Sequence, residues 1–70
     1  MWTFERIDKE IEVGVPLIYF NDGRWWSAYK PKEGIGGVVY SIGMRKKASA
    51  ENWGQKLHDE WAEYLSKGGE

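Results

Sequence analysis

The sequence predicts an α+β domain with a short N-terminal helix, a three-stranded antiparallel β-meander, and a C-terminal amphipathic helix packed on the sheet. Three observations favour this fold. The turn signal Asn21-Asp22-Gly23 separates two β-type runs, a third such run follows a glycine-rich loop, and an apolar stripe at helical spacing occupies the last part of the chain. The 70 residues correspond to a single domain spanning 1–70, since domains are rarely shorter than about 50 residues.

The first element is predicted as a helix over residues 4–12. Phe4, Ile7 and Ile11 recur at helical spacing, and Thr3 before them is an acceptable N-cap residue. A strand is the alternative, because the β-branched residues of this region also fit a period of two. The helix is favoured since Glu, Arg and Lys dominate the segment.

The sheet is predicted from strands at about 15–20, 24–30 and 38–43. Pro16 lies at the entrance of the first strand, where a strand tolerates proline. Asn, Asp and Gly in the turn accept the positive φ that a tight hairpin requires. Residues 31–37 form a loop in this interpretation, and its glycines make a flexible hairpin connection rather than a phosphate-binding loop, because a strand and not a helix follows.

The last element is predicted as a helix over residues 50–66, with Ser49 as N-cap, Glu51 in the first turn and Gly68-Gly69 after its end. Its apolar arc predicts the face that packs on the sheet. The arc consists of Ala50, Trp53, Leu57, Trp61 and Tyr64. Gly54 lies on the same arc, which predicts a close approach between the helix backbone and the sheet.

Composition excludes several classes of protein. The chain has no cysteine, which rules out disulfides, thiolate zinc sites and iron–sulfur clusters. It has no apolar run of the roughly 20 residues that cross a bilayer and no signal peptide, so no membrane association and a cytoplasmic location are expected.

Catalysis and metal binding are not expected. His58 is the single histidine, and none of the residues three or four positions from it is a metal ligand, so no metal site is predicted. No nucleophile elbow accompanies any serine. The sequence therefore predicts a protein that is not an enzyme and needs no cofactor, with His58 as a half-buried structural residue.

Charge is distributed unevenly, although the formal net charge is only −1. Residues 1–22 hold two basic and five acidic side chains, residues 23–47 six basic and one acidic, and residues 48–70 two basic and five acidic. The centre of the chain is therefore basic and both ends are acidic, an asymmetry that bears on association.

The basic centre is also rich in aromatic residues. Trp25 and Trp26 are adjacent, so in a strand they face opposite sides of the sheet, and which of them is exposed stays open. If both helices pack on one face, an aromatic row is exposed on the other. The candidate binding residues are Arg24, Trp25, Trp26, Tyr29, Lys30, Lys32, Arg45, Lys46 and Lys47.

Residues 23–65 resemble the three-stranded-sheet-plus-helix DNA-binding domains of the AP2 type and of phage integrase arm-binding domains. The matching features are Gly23-Arg24-Trp25 with Ala28 in a middle strand, a basic glycine-rich hairpin from Lys32 to Gly37, and Ile42-Gly43 before a helix. The sheet of such domains enters the major groove. The resemblance implies that Arg24, Trp26, Lys30 and Lys32 would contact DNA. The preceding acidic segment, the negative charge and the tryptophan-based helix depart from the pattern.

Two functions are expected from these patterns. The first is a non-enzymatic protein-binding module, similar in kind to phage or mobile-element accessory proteins that inhibit a host factor or defence complex, because Trp, Tyr and Arg dominate protein-binding hot spots. The alternative is nucleic-acid binding by the basic aromatic meander, because bases stack on aromatic rings and phosphates pair with cations. A net charge of −1 favours the first function. A homodimer through the aromatic face stays open.

Overall fold

A computed structural model describes residues 1–33 and 37–68. Its elements in chain order are α1 (Phe4–Glu10), β1 (Leu17–Asn21), β2 (Arg24–Tyr29), β3 (Val39–Tyr40) and α2 (Lys47–Ser66). The three strands form one antiparallel sheet in the order β1-β2-β3, and α2 packs on it. The predicted α+β class is therefore confirmed.

Helix α1 begins where the sequence predicts it. The Thr3 side chain accepts a hydrogen bond from the Arg6 backbone N–H at 3.1 Å, which satisfies one of the free donors of the first turn. The helix ends at Glu10, two residues earlier than predicted, because Ile11 is already extended (φ −74°, ψ 136°). The helix prediction is confirmed, and the strand alternative is wrong for the segment as far as Glu10.

The β1–β2 hairpin closes through two residues, Asp22 and Gly23, which both have positive φ (56° and 74°). This conformation matches the right-handed twist of the flanking strands, and it confirms the predicted turn. The turn fixes the register, in which Asn21 lies opposite Arg24 and Phe20 opposite Trp25. We call this end of the sheet the turn end.

The third strand is shorter than the predicted 38–43, since only Val39–Tyr40 form a regular strand. The chain nevertheless continues beside β2 as far as the turn end. The backbones of Trp25 and Met44 exchange two hydrogen bonds, of 2.7 and 2.8 Å. Of the predicted loop at 31–37, residues 34–36 lie outside the described residues.

The two helices lie on opposite faces of the sheet. On one face, Ile7 of α1 packs with Tyr19 and Ala28 in a buried cluster. On the other face, a Cβ added to Gly54 of α2 would lie 2.8 Å from the Oγ of Ser27. Successive strand residues point to opposite faces, so Ala28 and Ser27 identify the two sides. The expectation of an exposed aromatic row, which required both helices on one face, is therefore not met.

Helix α2 begins three residues before the predicted start. The Lys46 carbonyl accepts the Ala50 N–H at 3.4 Å, so Lys46 occupies the N-cap position and Ser49 lies inside the first turn. The first turn holds no acidic residue, so the predicted roles of Ser49 and Glu51 are wrong. After the helix, Gly68 has a positive φ of 96°, as its predicted place beyond the end requires, and Gly69 lies outside the described residues.

The direction of α2 determines which residues meet. Lys47 at its start lies over the ring of Trp25 at the turn end, and His58 reaches Tyr29 at the other end of β2. From His58 the helix continues for about two turns to Ser66.

In the part of the chain that the structure describes, no helix is long and apolar enough to span a membrane.

Candidate functional site

The fold separates the nine predicted site residues into three places. One group gathers at the turn end of the sheet. It consists of Arg24, Trp25, Arg45, Lys46 and Lys47. Tyr29, Lys30 and Lys32 lie at the opposite end of β2, and Trp26 faces α1. Arg24 and Lys30 are six positions apart along an extended chain, which is about 20 Å.

A ring pair lies at the centre of the turn end. The centroids of Phe20 and Trp25 are 5.2 Å apart with the rings inclined by 64°, an edge-to-face contact. Phe20 is 52% exposed and Trp25 is half-buried. The Lys47 ammonium lies 5.5 Å from the centroid of the Trp25 ring, within reach of a cation–π interaction. We call the six residues Phe20, Arg24, Trp25, Arg45, Lys46 and Lys47 the turn-end cluster.

Gly43 makes room for the Arg24 side chain. A Cβ at position 43 would lie only 2.6 Å from Cδ of Arg24 and 3.1 Å from Cζ2 of Trp26. The Arg24 stem therefore crosses directly over the segment that leads from β3 to Arg45. A larger residue at position 43 would displace this stem, which lies beside the Trp26 ring on the sheet face opposite Trp25.

The cations of the turn-end cluster are exposed and make no ion pair with a carboxylate among the described residues. Arg24, Arg45, Lys46 and Lys47 are all exposed. The two ion pairs that the structure describes, Arg6–Glu10 and Lys67–Glu63, lie within α1 and at the end of α2. Asp22 in the turn is the nearest carboxylate in sequence to Arg24, and it joins neither pair. The turn-end cluster is therefore a concentration of positive charge whose cations have no acidic partner in the described structure.

Trp26 is not part of this surface. Its ring packs against the buried cluster beside Ile7, and its Nε1–H donates a hydrogen bond of 2.8 Å to the backbone oxygen of Asn21. Both Trp25 and Trp26 are half-buried, so neither is fully open to solvent. The sheet face that the AP2-type resemblance assigns to DNA, with Trp26 at its centre, lies under α1.

Tyr29 is also unavailable as a contact residue, because it is only 3% exposed. Its hydroxyl lies 3.2 Å from Nδ1 of His58, and the two rings meet edge to face with centroids 6.0 Å apart. Burial raises the pKa of Tyr29 above its ordinary value. Tyr29 and His58 therefore join α2 to β2, which agrees with the predicted half-buried, structural role of His58.

Lys30 and Lys32 lie away from the turn end. The Lys30 backbone oxygen accepts a hydrogen bond of 2.9 Å from the Gly14 N–H, which attaches the segment after α1 to the end of β2. Lys30 is half-buried, whereas Lys32 is exposed in the following loop. The structure therefore does not combine these lysines with Arg24 in one surface.

An apolar pocket of about 370 Å³ opens beside α1, lined mainly by Trp2, Phe4, Ile7, Tyr19 and Trp26. Asn21 accepts two hydrogen bonds from other lining residues. The Trp2 backbone N–H donates to the Asn21 side-chain oxygen at 3.3 Å, and the Trp26 Nε1–H donates to the Asn21 backbone oxygen. The pocket offers no charged group to orient a ligand, so the turn-end cluster is the better candidate site.

Sequence reasoning missed Phe20 as a site residue. The signal was present, because a two-residue turn at Asp22-Gly23 places the residue before Asn21 opposite the residue after Arg24. Phe20 and Trp25 then necessarily share one face of the hairpin.

Within the described residues, no three His, Asp or Glu side chains gather as metal ligands would.

Comparison with protein-family models, curated proteins and solved structures gives no match to this chain. The AP2-type and integrase-type resemblance over residues 23–65 therefore stays a prediction, supported by its own residues only.

Proposed function

We propose that the protein is a non-enzymatic nucleic-acid-binding module and that the turn-end cluster is its binding surface. The observation that carries the proposal is the Phe20–Trp25 ring pair with the Lys47 ammonium over the Trp25 ring, at the end of the sheet where the exposed cations Arg24, Arg45 and Lys46 also lie without an ion pair among the described residues. Cations neutralise backbone phosphates and release their counterions, and aromatic rings accept stacked bases. This combination fits a polyanion with aromatic groups better than it fits a folded protein surface.

The net charge of −1 is compatible with this function because the charges are separated in space. Three of the four cluster cations lie at or just before the start of α2, whereas Asp59, Glu60 and Glu63 lie three or more turns further along it. At physiological salt the Debye length is about 8 Å, so charges at that distance are largely screened from the cluster. Asp22 and Glu51 are the acidic side chains next to the cluster in sequence, so its four cations leave a local excess of positive charge for a bound phosphate.

The proposal is tested by titrating fluorescein-labelled DNA with the protein at about 50 mM and about 200 mM salt. Four phosphate contacts correspond to a slope of about −3 in log K against log salt, which is about a 60-fold loss of affinity over this range. The triple variant Arg45→Gln/Lys46→Gln/Lys47→Gln should bind much more weakly, with a slope near −1.

The matched control is the triple variant Lys9→Gln/Lys32→Gln/Lys56→Gln, which removes the same charge from exposed positions outside the turn-end cluster. It should bind nearly as tightly as the unmodified protein. Equal losses in the two triple variants would contradict a localised site, and equally tight binding of polyglutamate would show that any polyanion suffices. No binding at the lower salt concentration would reject the function.

The second candidate function is protein binding through the flank of α2, which is favoured by a separate observation. Trp53, Leu57 and Trp61 remain half-exposed along this helix, and shallow grooves beside them are bordered by Lys56 and Glu60. Amphipathic aromatic surfaces of this kind form binding hot spots. The occupant would be a larger protein, such as the host factor or defence complex that a phage accessory protein inhibits, or a second copy of the chain.

Sedimentation of the protein alone tests whether two copies of the chain associate. Affinity capture, with the Trp61→Ala variant as comparison, tests whether a larger protein binds the flank. A partner bound through the flank should be lost with Trp61→Ala and retained with Lys46→Gln. A monomer that captures no Trp61-dependent protein would reject this candidate.

A further inference from the structure

We propose that the nucleic acid bound by the turn-end cluster is single-stranded and that one of its bases stacks on the ring of Phe20. This inference rests on the proposed function and adds the form of the ligand. Three observations carry it: helices cover both faces of the sheet, the cluster lies at one end of the sheet, and the exposed Phe20 ring contacts Trp25, over which the Lys47 ammonium lies.

The covered faces disfavour a duplex. A sheet that reads duplex DNA places its strands in a groove and its side chains against the base edges. Here Ile7 of α1 is buried against one face, and Gly54 of α2 lies against Ser27 on the other. Neither face can enter a groove without the removal of a helix.

The Phe20 ring is available to an unpaired base. It is 52% exposed, and its edge-to-face contact with Trp25 holds it in place. The bases of a duplex are already stacked on one another, whereas the bases of a single strand can turn outward onto a protein ring. An ordered, exposed ring therefore selects single strands at a low cost in side-chain entropy.

The Trp25 ring contacts both the Phe20 ring and the Lys47 ammonium. Phe20 contacts Trp25 from the opposite strand, and the Lys47 ammonium lies 5.5 Å from the centroid of the Trp25 indole. The indole thus places an aromatic surface and a phosphate-pairing cation beside each other. A nucleotide presents the same pair of features, a base and a phosphate, in each unit of its chain. The Trp25 ring acts here as a positioning group, and the base contact falls to Phe20.

The test compares a labelled DNA strand, an RNA strand of the same sequence, and the DNA strand annealed to its complement. At least one single strand should bind about tenfold or more tighter than the duplex. The Phe20→Leu variant should weaken single-strand binding about five- to tenfold, which is within the range for loss of one stacked base, and should weaken duplex binding by a smaller factor. Phe20→Trp should retain the affinity, because the aromatic surface is kept.

A DNA strand in which bases are replaced by abasic sites tests stacking without any change in the protein. It should bind as weakly as the duplex does, although its phosphates are intact. Duplex binding as tight as single-strand binding, or full affinity for the abasic strand, would overturn this inference and leave nucleic-acid binding itself in place. Failure to bind any of these nucleic acids at low salt would overturn the proposed function as well.

Discussion

Gly54 lies where α2 comes closest to the sheet. A Cβ at this position would be 2.7 Å from the Cβ of Pro16 and 2.8 Å from the Oγ of Ser27, closer than real contacts allow. The predicted close approach is therefore confirmed. The buried Ser27 hydroxyl at this contact has no hydrogen-bond partner among the described residues.

Gly54→Ala should destabilise the protein by about 1–3 kcal/mol, because overpacking outweighs the roughly 1 kcal/mol that alanine normally gains over glycine inside a helix. Ser27→Ala should be neutral or slightly stabilising, since it removes an unpaired buried hydroxyl. Chemical denaturation of both single variants and the double variant measures these effects. The double variant should recover part of the loss, and a stabilising Gly54→Ala would contradict the described packing.

Three tyrosines make the stability of the fold vary with pH in the alkaline range. Burial raises the pKa of Tyr19, Tyr29 and Tyr40 above the ordinary value. The folded protein therefore holds these phenolic protons more tightly than the unfolded chain does. Their contribution to stability is complete below about pH 10, the ordinary tyrosine pKa, and is lost as the pH rises through the higher pKa of the folded state.

The melting temperature should accordingly fall as the pH rises above about 10. Tyr29→Phe should lower stability at neutral pH by about 1 kcal/mol, because the contact with His58 is lost, and should also make the alkaline decline shallower. Thermal unfolding followed by circular dichroism between neutral pH and about pH 11 measures both effects. If the melting temperature of the Tyr29→Phe variant fell as steeply above about pH 10 as that of the unmodified protein, Tyr29 would not contribute to the pH dependence.

At the scale of the element, the start of α2 is the least well-capped part of the structure. Lys46 occupies the N-cap position, and Lys47 follows it at the positive end of the helix dipole. Both features destabilise the free helix, because lysine neither caps a helix nor complements that end of the dipole. The positive charge at the start of α2 therefore comes at a cost in local helix stability.

Lys46→Asp should raise the stability of the protein by about 1 kcal/mol, which for a chain of this size is about 4–8 °C in melting temperature, while it weakens DNA binding. Lys32→Asp makes the same change in charge at an exposed loop position and should leave stability nearly unchanged. Parallel melting and DNA titration of the two variants check this. A destabilised Lys46→Asp variant would show that residue 46 does not cap α2.

The elements that local chemistry determines could be predicted from the sequence. Thr3 caps α1 and the Asp22-Gly23 turn sets the hairpin register, because both depend on residues adjacent in the chain. The start of α2 could not be predicted in this way. The paired backbones of Trp25 and Met44 fix the preceding chain against β2, so the helix begins at Lys47 although Ser49 is the better capping residue.

At the scale of the whole molecule, the position of α1 decides which surfaces are open. Its short apolar stripe gives no information about which sheet face it will cover, because Ile7 would be buried equally well on either side. The structure places it over Trp26, opposite α2. The turn end and the flank of α2 are among the surfaces that stay open. Five of the nine predicted site residues, Arg24, Trp25, Arg45, Lys46 and Lys47, lie together at the turn end.

The central claim, that nucleic acid binds at the turn end, is tested most directly by titrating ¹⁵N-labelled protein with single-stranded DNA and recording the indole N–H signals. The tryptophans report on separate places: Trp25 in the turn-end cluster, Trp2 beside α1, and Trp53 and Trp61 on α2. We predict that the Trp25 signal moves, together with the backbone amide of Phe20, while the Trp61 signal stays in place. Movement of the Trp53 and Trp61 signals with an unchanged Trp25 signal would contradict the account and place binding on the flank of α2.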